Sequence, residues 1–143
     1  MKTNRGFSLL ELLIVVAIIL IIATIAIPSL LKSRQAANES AAVSNLRLMN
    51  TAEVTYSSNT NGSYGAIPDL VTAGLLDNRF AQIVSGYSFS VTLSPDTLDY
   101  TASATARAVN DGKFDYFTHP DYVIRYSTDP TRAPVGLTGE PVR

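Results

Sequence analysis

The sequence predicts an α+β fold, a long N-terminal α-helix packed on a small antiparallel β-sheet, and three observations carry it. Apolar residues crowd into one early run over 7–27. The stretch after Pro28 turns amphipathic at helical spacing, and the second half alternates apolar with polar residues at the period of strands. Composition bounds the rest. The chain has 143 residues, room for one domain, with 46% hydrophobic and 16% charged residues, so it is neither disordered nor built for nucleic acid. Its 11 Lys and Arg stand against 12 Asp and Glu, a net charge of -1, with no basic stretch to follow a phosphate backbone. There is no cysteine, which excludes disulfides, thiolate metal sites, a cysteine nucleophile and a lipid-modified N-terminal cysteine.

Over 7–27 the polar residues are Ser8, Glu11 and Thr24. A helix of this length spans about 30 Å, the thickness of a bilayer core. Lys2, Arg5 and the terminal amine precede it, so the positive-inside rule keeps the N-terminus cytoplasmic, with Lys32 and Arg34 reducing the bias. A removable signal peptide, cut at Thr24-Ile25-Ala26, would have too long an apolar region and a carboxylate within it. A plain anchor gives no reason for Glu11, since an ionisable group costs about 2.5–3.5 kcal/mol at mid-bilayer. A buried core helix fails because the remaining residues are too few to enclose a helix that is apolar on every side.

The run Gly6-Phe7-Ser8-Leu9-Leu10-Glu11-Leu12-Leu13-Ile14-Val15-Val16-Ala17 resembles the processing signature of type IV prepilins and the related pseudopilins. The resemblance implies that a prepilin peptidase cuts between Gly6 and Phe7 and methylates the new Phe7 amine. Glycine before the cut suits this, because an extended backbone enters a protease cleft with no side chain in the way. Glu11 then stands at the fifth position of the mature chain, where the family carries its glutamate, and Pro28 at the twenty-second, where many members carry a helix-loosening proline. Glu11 and the Phe7 amine are the expected assembly residues, the carboxylate of one subunit meeting the amine of a shifted neighbour. The resemblance is strong to about Tyr56 and is one of layout beyond it.

The implied type IV pilin fold divides the chain into a leader peptide (1–6), a transmembrane and polymerisation helix (7–28) and a globular domain (29–143). That domain would hold an outer helix over 29–57, a loop over 58–85, an antiparallel sheet over 86–126 and a tail over 127–143. The implied function is the structural subunit of a type IV pilus, serving adhesion, motility or DNA uptake, and the alternative is a pseudopilin of a type II secretion system. The implied partners are further copies of the chain in a homopolymer, the prepilin peptidase and the pilus assembly machinery. The chain would sit in the bacterial inner membrane before assembly and in an extracellular pilus after it. No cofactor is implied, and whether DNA or a host surface is bound is left open.

Element by element, Ala42, Leu46, Met49 and Tyr56 step at helical intervals among Ser40, Ser44, Arg47 and Asn50. Pro28, lacking an amide hydrogen, predicts a kink or an opened stretch over 24–28. The turn formers of 59–63 predict a helix end near Ser57, Pro68 starts a short helix, and Gly74 ends it. Tyr87, Phe89, Val91 and Leu93 alternate with serine and threonine as a strand, Ser94-Pro95-Asp96 turns, and Leu98, Tyr100, Ala102 and Ala104 form the next. Further strands are expected at 113–117 and 122–126, giving three or four in all, followed by an irregular tail. Such a sheet needs a cover on its apolar face, and the outer helix is the long amphipathic element available.

Catalytic and metal sites are not expected. His119 is the one histidine, beside Pro120 in a turn, and reads as a surface residue. Asp111, Asp115, Asp121 and Asp129 form no Asp-x-Asp-x-Asp-Gly loop and read as turn chemistry. The Tyr and Phe residues of the second half fall at strand period and read as packing. Asn38-Glu39-Ser40 and Asn61-Gly62-Ser63 fit the glycosylation sequon but count for little in a bacterial-type precursor. The pseudopilin's glycine- and proline-marked segment and calcium loop are not recognisable, nor is the C-terminal cysteine pair of many pilins, so the tail must be held by packing or by neighbours.

Overall fold

The computed structural model describes residues 7–127 and 139–142. The expected leader, Asp129 and most of the expected tail lie outside the described residues. The chain divides into two compact units, Met1–Arg34 and Gln35–Arg143.

Helix α1 (Leu9–Asn59) contributes to both units, and helical backbone continues through Pro28. In the first unit, among the described residues, its side chains form no core. Polar groups there bond back to the backbone, Thr24 Oγ1 donating to the Ile21 carbonyl at 2.7 Å and Ser33 Oγ to that of Ser29 at 3.0 Å.

The second unit contains the rest of α1, a short α2 (Ile67–Thr72), a 3-10 turn at Asn78–Ala81 and five strands. These are β1 (Tyr87–Leu93), β2 (Tyr100–Ala106), β3 (Asp115–Thr118), β4 (Arg125–Ser127) and β5 (Glu140–Pro141). Each strand pairs antiparallel with its neighbour in sequence, so the sheet is a meander. Phe89 lies opposite Ala104, Ala104 opposite Tyr116 and Tyr116 opposite Tyr126.

Ala42, Leu46 and Met49 of α1 are wholly buried and share one cluster with Leu70 of α2, Phe80, and Tyr87, Phe89, Tyr100, Ala102, Ala104 and Tyr116 of the sheet. The alanines of β2 leave room for a helix to approach the middle of the sheet. One polar group is built into this contact. Asn50 donates from Nδ2 to Thr118 Oγ1 at 3.0 Å and accepts at Oδ1 from Tyr100 Oη at 2.9 Å, so all three polar side chains are bonded where water is excluded.

Several expected boundaries move. α1 ends at Asn59 rather than Ser57, and the chain turns away with Asn61 and Gly62 at positive φ (55° and 93°) and the Gly62 amide donating to the Ser57 carbonyl at 2.9 Å. The expected loop over 58–85 carries the 3-10 turn, whose start is capped by Asp77 Oδ1 accepting from the Arg79 amide at 2.8 Å. Leu98 is not in a strand but exposed on the β1–β2 turn, because Ser94 pairs with Asp99 and Asp96 caps the Leu98 amide. The third and fourth strands start two and three residues later than read, at Asp115 and Arg125. The tail is not wholly irregular: β5 pairs with β4 and makes a fifth strand, Gly139 packing so closely on Phe117 that a Cβ there would lie 3.0 Å from its ring.

Glu53 is a buried acid on the sheet-facing side of α1. Its Oε2 accepts from the Gly65 amide at 3.1 Å, Oε1 has no hydrogen-bond partner, and the side chain is fully buried. Burial pushes its pKa from the ordinary 4.5 to about 7, opposed by the Gly65 bond and reinforced by Asp69. A raised carboxyl pKa favours the protonated fold, so the stability it carries is complete below pH 4.5 and is lost as pH rises through about 7. The melting temperature of the detergent-solubilised chain should therefore fall between pH 4.5 and 8, by the equivalent of up to about 3 kcal/mol. Glu53→Gln should flatten that slope; an unchanged slope in the variant would assign the effect to other groups.

Candidate functional site

The first unit presents its apolar residues outward. Phe7 and Leu9 are each 83% exposed, and Leu10, Leu12, Leu13 and the aliphatic residues onward to Leu31 remain largely open. By length and composition α1 can cross a membrane, and its most apolar window has no buried residue. Leaving this much apolar surface in water is unfavourable by about 25 cal/mol per Å², so these residues need lipid or other protein around them.

At the start of the helix the sequence builds a reciprocal cap. Ser8 is the cap residue: its Oγ accepts from the Leu10 amide at 3.3 Å, while Glu11 Oε2 accepts from the Ser8 amide at 3.0 Å. Two first-turn N–H groups are thus satisfied within the chain, and a negative charge sits at the positive end of the helix dipole. Reading Glu11 solely as an intersubunit charge missed this. The signal was present as Ser-x-x-Glu ahead of an apolar run.

Of the expected site residues, the structure places Phe7 and Glu11 on the exposed first turn, Pro28 within the helix, and Gly6 outside the described residues. His119 is half-buried rather than a free surface residue, with Nδ1 3.1 Å from Thr101 Oγ1 and its ring edge-on to Phe117. The aspartates are dispersed: Asp111 pairs with Arg107 at 3.0 Å, Asp121 with Arg125 at 2.6 Å, and Asp115 Oδ1 accepts from the Ala106 amide at 2.8 Å. Among the described residues no group of three or more His, Asp or Glu side chains could hold a metal ion. Asn38 of the first sequon is engaged with the Asp111 carbonyl at 2.9 Å, and Asn61 of the second lies in the turn that ends α1.

Comparison with known proteins bears on the same segment. Residues 1–27 match the family described as the Prokaryotic N-terminal methylation motif. The chain is 39% identical over 82 residues to the type IV major pilin protein PilA of Myxococcus xanthus, an alignment covering 57% of this chain and 37% of that protein. It is 54% identical over 39 residues to the type IV wide pilus major component PilA4 of Thermus thermophilus, covering 27% of this chain and 30% of that one. The chain thus spans about a third of the length of these curated relatives. No solved structure matches it. The resemblance carried by residues 6–17 is borne out: the N-terminus holds the methylation motif, the relatives are type IV major pilins, and the fold is the α+β arrangement expected of them.

Proposed function

We propose that this chain is a structural, non-enzymatic subunit of a type IV pilus, made as a precursor that is cut between Gly6 and Phe7 and methylated on the Phe7 amine. The observation that carries this reading is a methylation motif over residues 1–27 that runs into the start of α1, where the large apolar side chains from Phe7 to Leu31 are exposed. Residues 7–28 would hold the subunit in the inner membrane with its N-terminus cytoplasmic, then exchange lipid for the same helices of other copies in the filament. The relatives being major pilins favours a pilus over a type II secretion pseudopilus. Prepilin peptidase and the assembly machinery are the partners this route requires. Pro28, which cannot donate to the Thr24 carbonyl, would be where the helix loosens when it is repacked.

Glu11 would have two successive partners. In the precursor its carboxylate caps the Ser8 amide. Once cleavage makes Phe7 an amine, a neighbour shifted along the filament could bring that ammonium to Glu11, and the pair would be mutually neutral inside an apolar bundle. Breaking such a buried pair costs about 3–5 kcal/mol, enough to select one register.

The intact mass of the subunit from sheared surface filaments should correspond to the chain without Met1 to Gly6 plus one methyl group on Phe7. A retained leader, or a cut after Ala26, would end the prepilin reading. Substitution separates cap from charge, because glutamine can serve at this position of the cap whereas alanine cannot. Glu11→Gln and Glu11→Ala should both insert and be cleaved, and both should lose most filaments in electron micrographs. Normal filaments from Glu11→Gln beside few from Glu11→Ala would show that the cap matters and the charge pairing does not.

A further inference from the structure

A cavity of about 420 Å³ opens where α1 passes the far end of the sheet, lined by Glu39, Phe114, Tyr116, Tyr126, Glu140 and Val142. This volume is within the range of small-ligand sites. We propose that it binds an organic ammonium group, held against the wall of three aromatic rings and near the two carboxylates.

The rings are tilted rather than stacked. Phe114 and Tyr126 have centroids 4.8 Å apart at 54°, and Tyr116 and Tyr126 6.3 Å apart at 55°, so the three rings form one contiguous aromatic wall of inclined planes. A ring face is the negative side of the aromatic quadrupole, and several faces around one space suit a weakly hydrated alkylammonium. The chain already uses one of these rings this way, with Lys113 Nζ 4.8 Å from the Phe114 centroid.

One acid is held by a hydrogen bond and the other is carried by the backbone of an exposed strand. Glu39 Oε1 accepts from the Lys113 amide at 2.6 Å, and Glu140 lies in β5 opposite Tyr126. Among the described residues the lining includes no Lys or Arg, and the Arg125 guanidinium of β4 is engaged with Asp121 at 2.6 Å and the Val123 carbonyl at 3.2 Å. Two carboxylates among aromatic walls fall short of the six to eight oxygens that calcium takes. Burial pushes the Tyr116 phenol up to about 12, helped by Glu39 and Tyr126, so at neutral pH the ring stays uncharged.

The ammonium could come from a small quaternary amine or from a lysine side chain, and the probes distinguish them. The full chain in maltoside detergent is titrated with choline, with its neutral isostere 3,3-dimethylbutan-1-ol, and with acetyl-lysine methylamide, while ring signals of Phe114, Tyr116 and Tyr126 are followed by NMR. Choline should give saturable shifts at these rings and bind roughly tenfold or more tightly than the isostere. Tyr126→Leu should abolish binding. The exposed Glu140→Gln should weaken it severalfold with the remaining spectrum unchanged, which keeps the test valid if the ring variant misfolds. Tighter binding of acetyl-lysine methylamide than of choline assigns the cage to a lysine side chain, and the reverse to a quaternary amine. Equal binding of choline and its isostere, the absence of saturable shifts with every probe, or wild-type choline affinity in Glu140→Gln would each overturn the proposal.

Discussion

One face of a five-stranded meander cannot be left in water, and in this chain the cover comes from residues 42–53 of α1. The small alanines of β2 and the larger Tyr87, Phe89, Tyr100 and Tyr116 share one buried cluster with the helix residues. Two of its polar members set its character. Asn50 is fully satisfied by Thr118 and Tyr100, whereas Glu53 keeps one oxygen without a partner. A bonded amide fixes alignment at little cost, and a half-satisfied acid makes the same contact sensitive to protons.

The two units put opposite demands on one helix. In the second unit α1 has an inner and an outer side, and the inner side is completed by the chain's own sheet. In the first unit, among the described residues, its large apolar side chains are exposed, and that surface is stable when lipid or other protein surrounds it. Lipid would meet that need without directional contacts, whereas other protein would meet it with a defined packing geometry. The Ser8–Glu11 cap gives the carboxylate a partner within the chain, where it holds the first turn of the helix.

What could be read from the sequence depended on how local its cause was. β1 was legible because Tyr87, Phe89, Val91 and Leu93 alternate with small polar residues, and the end of α1 because Asn61 and Gly62 accept positive φ. Leu98 misled because alternation cannot show that Ser94, Asp96 and Asp99 close a turn around it. β5 was illegible, being two residues ending in Pro141, with pairing supplied by β4 and close packing by Phe117. At the candidate site, the methylation motif and Glu11 were plain, while the cap was passed over although Ser8 and Glu11 have the required spacing. Glu53 stands three residues after Asn50 and four after Met49, a spacing that puts it on the buried face, but nothing in the sequence shows that Gly65 will meet it.

The Asn50 node also sets how the domain answers to tension. Slipping the helix one turn, about 5.4 Å, would replace Asn50 with Leu46 or Val54 and leave Thr118 and Tyr100 facing an apolar side chain. A helix held by smooth apolar surface alone could creep along the sheet in small steps. Here a pull along the axis of α1 loads both hydrogen bonds and the surrounding interdigitated side chains together, in shear, so the contact resists as a single unit until it gives way as a whole.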